Sequence, residues 1–161
     1  MKSAITLGVT LGVGIWGLSG FAETVEAATR TILAGQICRA HNASEVADID
    51  YLVEGVQNLA AQPRYVICPV VRQTTNSLGA NPVYVEVWRD ASATSKIQCE
   101  LFSHEWDGTW LGSSTGEFNG TGSGWITLQV TASSEWSHYS VLCRLPGNAK
   151  AQIYNISVDE L

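Results

Sequence analysis

Four cysteines sit inside short apolar runs, and this feature most narrows what the 161-residue chain can fold into. Ile97, Cys99 and Leu101 share one side of an extended segment, and Tyr139, Val141, Cys143 and Leu145 share one side of another. A cysteine in a row that faces a core is placed to cross-link strands. No Cys-x-x-Cys spacing offers a metal or redox use instead. The four residues allow three pairings. The inward faces favour Cys99–Cys143, which leaves Cys38–Cys68 to tie the N-terminal strands. In the chain-entropy model each closure stabilises the fold by roughly 3–4 kcal/mol. Two disulfides in turn belong to an oxidising compartment.

The start of the chain reads as the means of reaching that compartment. Lys2 is the only charge before Glu23, and Ala4 to Ala22 is uncharged and apolar, with Ile5, Leu7, Val9, Leu11, Val13, Ile15, Trp16 and Leu18. A positive start, an apolar middle and a small-residue exit make a secretory signal. Cleavage fits after Ala22, in Gly20-Phe21-Ala22, or after Ala27, in Val25-Glu26-Ala27. Several glycines dilute the run and no basic cluster follows, so it reads as cleaved rather than membrane-spanning. The expected organisation is a signal peptide over 1–27 and one domain over 28–161, secreted or periplasmic. Nine Lys and Arg stand against 15 Asp and Glu, a net charge of -6, with no basic stripe. Nucleic acid is excluded as a partner, because phosphate binding needs clustered cations.

Beyond residue 28 the patterning is that of strands. The best helical stretch, Ser44 to Asn58, is broken by Asp48, Asp50 and Gly55. Tyr51 to Val56 reads as a strand, and Arg64 to Val71 as a buried one in which Pro69 marks an edge or bulge. In Val83 to Trp88 the three valines alternate with Tyr84, Glu86 and Trp88, and Asp90-Ala91-Ser92 then predicts a hairpin with Lys96 to Ser103. Gly112 to Gly124 holds five glycines and reads as a surface loop. Trp125 to Val130, His138 to Leu145 and Gln152 to Asp159 follow, the last with Tyr154, Ile156 and Val158 on one face; Pro146-Gly147-Asn148 is a turn. Strands about ten residues apart, joined by turns, predict an all-β fold: one antiparallel, jelly-roll-like β-sandwich with two disulfides.

The C-terminal run from Trp125-Ile126-Thr127-Leu128 through Tyr139-Ser140-Val141-Leu142-Cys143-Arg144-Leu145-Pro146 to Ile153-Tyr154-Asn155-Ile156 resembles the last strands of extracellular jelly-roll domains. Carbohydrate-binding modules end similarly. Together with Cys68-Pro69-Val70-Val71-Arg72, the four-cysteine arrangement also resembles small exported bacterial β-sandwich proteins of unknown function. The resemblance covers a third to a half of the chain and implies fold more than activity. It carries no ligand-binding residue with it.

Candidate chemistry concentrates in His104-Glu105-Trp106-Asp107-Gly108-Thr109-Trp110. Indole rings cover the apolar faces of pyranoses, and carboxylates accept hydroxyl hydrogen bonds, so His104, Glu105, Trp106, Asp107 and Trp110 are the candidate ligand-binding residues. Trp88 and Trp125 fall on faces opposite the core rows and can be exposed together, as interaction surfaces often are. Gly112-Ser113-Ser114-Thr115-Gly116 matches a nucleophile elbow, but no helix pattern follows it. His41, His104 and His138 have no metal-like spacing, and no metal or other cofactor is expected. Asp48, Asp50 and Glu54 offer a calcium reading without the glycine of a calcium loop. Asn42, Asn119 and Asn155 begin glycosylation sequons, which matter only in a eukaryotic secretory host. The expected function is a secreted, non-catalytic binding module, with a glycan or another extracellular protein as partner. The alternative is a structural or adhesive surface subunit that assembles by β-strand addition, with Thr29 to Ala40 as the donated strand.

Overall fold

The computed structural model describes residues 29–72, 81–131, 134 and 136–160. The segment expected to be a signal peptide, 1–27, lies outside them. Eleven strands form two antiparallel sheets: β1 (Thr29–Ala34), β2 (Arg39–Ala40), β3 (Ile49–Leu52), β4 (Gly55–Asn58), β5 (Arg64–Val70), β6 (Val83–Arg89), β7 (Ile97–His104), β8 (Trp110–Phe118), β9 (Gly122–Leu128), β10 (His138–Leu145) and β11 (Ala151–Glu160). The six-stranded sheet runs β3-β4-β11-β6-β9, with β1 also paired to β11; the five-stranded sheet runs β2-β5-β10-β7-β8.

Period-two burial explains why these segments are strands. In β6, Val83, Val85 and Val87 are fully buried; in β7, so are Ile97, Cys99 and Leu101; in β10, Val141, Cys143 and Leu145. These rows meet between the sheets as one core. Both disulfides form as expected, Cys38–Cys68 and Cys99–Cys143. Each joins neighbours within the five-stranded sheet, since Cys99 stands directly opposite Cys143 and Cys38 precedes the β2 residue paired with Ile67.

Four local expectations change. Val83 to Trp88 and Lys96 to Ser103 do not form a hairpin: β6 pairs with β11 and β9, whereas β7 pairs with β10 and β8. The intervening residues cross between sheets, and the buried Arg89 guanidinium pins the crossing by donating to the Ala93, Ser95 and Gly120 carbonyls. Tyr51 to Val56 is not one strand but the turn of the β3–β4 hairpin. In β11 a bulge between Ile153 and Asn155 shifts the alternation, so Ile153, Ile156 and Val158 are buried while Tyr154 faces outward. Gly112 to Gly124 is not a loop but most of β8 and the start of β9, linked by a short turn. A Cβ on Gly116 would stand 2.6 Å from Ile126 Cγ2, and one on Gly124 would stand 2.2 Å from Phe118 Cε2. Those glycines let two edge strands pass closely where the sheets meet.

Pro69 fits the edge reading, because β2 covers only Val66 and Ile67 of β5. Ser44 to Asn58 begins with a 3-10 helix, Ala43–Asp48, and continues as strand. Of Thr29 to Ala40, the segment expected to be donated, Thr29 to Ala34 pairs with β11 of its own chain. The β7–β8 loop, the β9–β10 connection and the outer ends of β1 and β11 lie at one end of the sandwich; the β6–β7, β8–β9 and β10–β11 connections lie at the other.

Candidate functional site

The outward rows of β7 and β10 end at His104 and His138, which face each other in direct register. Their rings stack with centroids 5.6 Å apart and planes inclined by 19°. Phe102 continues the row, 6.3 Å from His104. On the other side of β7 the register slips after Ser103, leaving Leu111 as an extra residue and Trp110 opposite His104. Bulges re-aim side chains, and here the bulge sets Trp110 across from His104, 62% exposed.

The loop from Glu105 to Thr109 is braced from within. Gly108, at φ 87°, takes a left-handed conformation that glycine adopts without strain. Its N–H donates to the Glu105 carbonyl, and the Glu105 N–H donates to that of Thr109. The Asp107 carboxylate accepts the Thr109 N–H at 2.9 Å, and this bond holds its carboxyl below the usual range. Trp106 is left at the tip, 77% exposed. Glu105 reaches the other way, and its carboxylate accepts the Ser134 hydroxyl at 2.7 Å. Ser134 belongs to the β9–β10 connection, which carries Trp136, 62% exposed. The Arg72 guanidinium supports this connection, donating to the Ser134 carbonyl at 2.9 Å while lying 5.0 Å over the Tyr139 ring. Two hydrogen-bonded loops thus present Trp106, Trp110 and Trp136 at one end of the sandwich.

All five sequence candidates fall in this region, but not in one role. Trp106 and Trp110 are presented to solvent, while Glu105 and Asp107 are engaged in bracing the loops. His138 and Trp136 were not among those candidates. The outward phase of β10 marks His138, but only the fold brings it to His104. Further recesses, including these three, lie elsewhere among the described residues. One of about 190 Å³ continues the outward rows of the five-stranded sheet, lined by Tyr65, Gln98, Glu100, Thr115, Leu142 and Arg144. One of about 410 Å³ lies on the outer face of the six-stranded sheet, among Arg30, Tyr84, Trp125, Thr127 and Ser157. The largest of the three, about 560 Å³, is lined by Gln36, Arg39, Val46, Tyr51, Leu52 and Val53, at the sandwich edge opposite β8 and β9. Trp125 is 53% exposed, with Trp88 its half-buried diagonal neighbour.

The remaining motifs are used within the fold. Gly112 to Gly116 lies inside β8, where the Ser114 hydroxyl accepts the Gln129 N–H at 3.2 Å. Asp48 accepts from Arg64 at 2.7 Å and Asp50 from Gln57 at 2.9 Å. Among the described residues, no three His, Cys, Asp or Glu side chains gather as a set of metal ligands.

No family model and no curated protein matches the chain. Solved structures do. The CBM36-1 domain of a multidomain xylanase from the hindgut metagenome of Trinervitermes trinervoides is similar with a TM-score of 0.53 at 13% identity, over 83% of this chain and 98% of that one. A xylan-binding module, CBM15, is similar with a TM-score of 0.50 at 13% identity, over 81% of this chain and 97% of that one. The likeness is one of fold: this chain is a β-sandwich of the kind found in carbohydrate-binding modules.

Proposed function

We propose that the protein is a non-catalytic carbohydrate-binding module that works outside the cytoplasm, with Trp106, Trp110 and Trp136 as its stacking platform. The observation that carries this reading is the presentation of three exposed indoles by two loops tied through Ser134 and Glu105. Large apolar rings left in water on a braced scaffold are what a pyranose face needs, and preorganised loops reduce the ordering cost of binding. The likeness to a domain of a xylanase and to a xylan-binding module adds support and puts xylan first among the polysaccharides to try.

Two further points bear on activity and location. Glycoside hydrolysis needs two carboxyl groups placed across the scissile bond. In this loop Glu105 and Asp107 are both committed to hydrogen bonds with the protein. The two disulfides favour an oxidising compartment. Among the described residues no helix is long and apolar enough to cross a membrane.

The test is titration with soluble polysaccharides, xylan first, followed by tryptophan fluorescence and calorimetry. Each of W106A, W110A and W136A is expected to weaken binding by about tenfold or more, as truncation of a central tryptophan commonly does, without lowering the unfolding midpoint. Absence of binding across a broad glycan panel, or a triple variant that binds like the parent, would sink the reading.

A further inference from the structure

We propose that His104 and His138 together chelate one divalent first-row transition-metal ion on the outer face of the five-stranded sheet. The two residues lie 34 positions apart, so no sequence motif joins them, yet the β7–β10 register sets them directly opposite. Both strands are bonded to each other further along by Cys99–Cys143, which limits how far the imidazoles can drift apart.

The ring geometry suits a shared ion. Two imidazoles bound through one nitrogen each, at about 2.0–2.1 Å and near-tetrahedral or square angles, hold their centroids on the order of 5 Å apart. Here they are 5.6 Å apart with planes inclined by 19°, so the span suits one ion, and rotation about the side-chain torsions is needed to turn one nitrogen of each ring toward it. Among the described residues neither imidazole has a hydrogen-bond partner, which leaves ring nitrogens available for coordination. His138 is exposed and His104 half-buried, so an ion can reach the pair from solvent. The neighbouring Glu105 carboxylate is held by Ser134, and waters would complete the coordination shell.

Ligand chemistry chooses the metal. Imidazole favours copper, nickel and zinc over hard cations such as calcium, and general affinity order puts Cu²⁺ first. Two protein ligands make an exchangeable site rather than one on which the fold depends. The site goes beyond glycan recognition and needs no sugar to be tested.

The experiment uses tag-free protein stripped with a chelator, titrated separately with Cu²⁺, Ni²⁺, Zn²⁺ and Ca²⁺ by calorimetry. Imidazole resonances are followed by NMR in the unsubstituted protein. The expected result is one ion per chain, Cu²⁺ tightest and Ca²⁺ unbound, with ring signals of His104 and His138 shifted by Zn²⁺ and broadened by Cu²⁺. H104Q and H138Q should each weaken Cu²⁺ binding by at least about tenfold; H41Q should leave it unchanged. Both substitutions lie on an outer face, and thermal unfolding checks that the fold is kept. Binding that survives H104Q and H138Q unchanged, or ring signals that Zn²⁺ does not move, overturns the proposal. Glycan titrations in the presence of chelator test the carbohydrate reading separately, so one can fail without the other.

Discussion

The two sheets are held together by different means. The five-stranded sheet carries both disulfides on its inner face, Cys38–Cys68 and Cys99–Cys143. Outside, no side-chain hydrogen bond joins the outer rows of β5, β10 and β7 among the described residues. The six-stranded sheet has no disulfide, and its outer rows are laced. Asn155 donates to Glu86 at 2.7 Å, Gln57 to Asp50 at 2.9 Å and Gln152 to Gln57 at 3.0 Å; Arg30 grips Asp159 with two nitrogens. The outer polar groups of β5, β10 and β7 thus stay free of one another, which is the condition a binding surface needs. The other sheet spends the same groups on itself.

Breaking the covalent side of this comparison should cost most. C99A/C143A is expected to lose about 2–5 kcal/mol in urea unfolding, and dithiothreitol, which opens both bonds, should cost the parent more. Equal stability of the reduced and oxidised forms would remove the basis of the contrast. Next comes the crossing between the sheets. Arg89→Met leaves buried carbonyls without their donor and should cost about 2–3 kcal/mol, read as a lower urea midpoint. On the laced sheet, N155A should cost about 1 kcal/mol in the same assay, and W125A should leave glycan binding intact where W110A does not. If W125A alone abolished binding, the functional face would belong to the six-stranded sheet.

The smallest expected effect lies at Arg30 and Asp159. The guanidinium hydrogen bond holds the Asp159 carboxyl below its usual range. A carboxyl whose folded-state value is depressed adds stability above its unfolded value and loses it as the pH falls through the folded one. Arg30 is exposed and Asp159 half-buried, so solvent screens the pair and D159N should lower the melting temperature only slightly at neutral pH. That difference should vanish in acid; one that grew on acidification would reverse the assigned sign.

Much of the fold was legible because burial has period two. Val83-Val85-Val87, Ile97-Cys99-Leu101 and Val141-Cys143-Leu145 announce strands, and their shared inward phase yields the disulfide pairing. The glycine-rich stretch misled because small residues usually mean a turn; at Gly116 and Gly124 they mean close passage of one strand over another, which depends on partners distant in sequence. The β11 bulge was invisible for a similar reason, since one inserted residue reverses the phase without any composition change. At the candidate site, Trp106 and Trp110 stood out as indoles clustered with two carboxylates and a histidine. The bracing roles of Glu105 and Asp107 did not, because Ser134 reaches Glu105 only through the folded connection between β9 and β10.

The pairing of Thr29 with Glu160 has a mechanical consequence. Both ends of the described domain emerge side by side, at the end where the tryptophans stand. Force applied to the two ends would peel β1 from β11 one hydrogen bond at a time, a zipper geometry rather than a shear. Bulk attached at either end would crowd the indoles. A copy immobilised through the Asn119–Gly120 turn, at the opposite end, would instead hold them clear of its support.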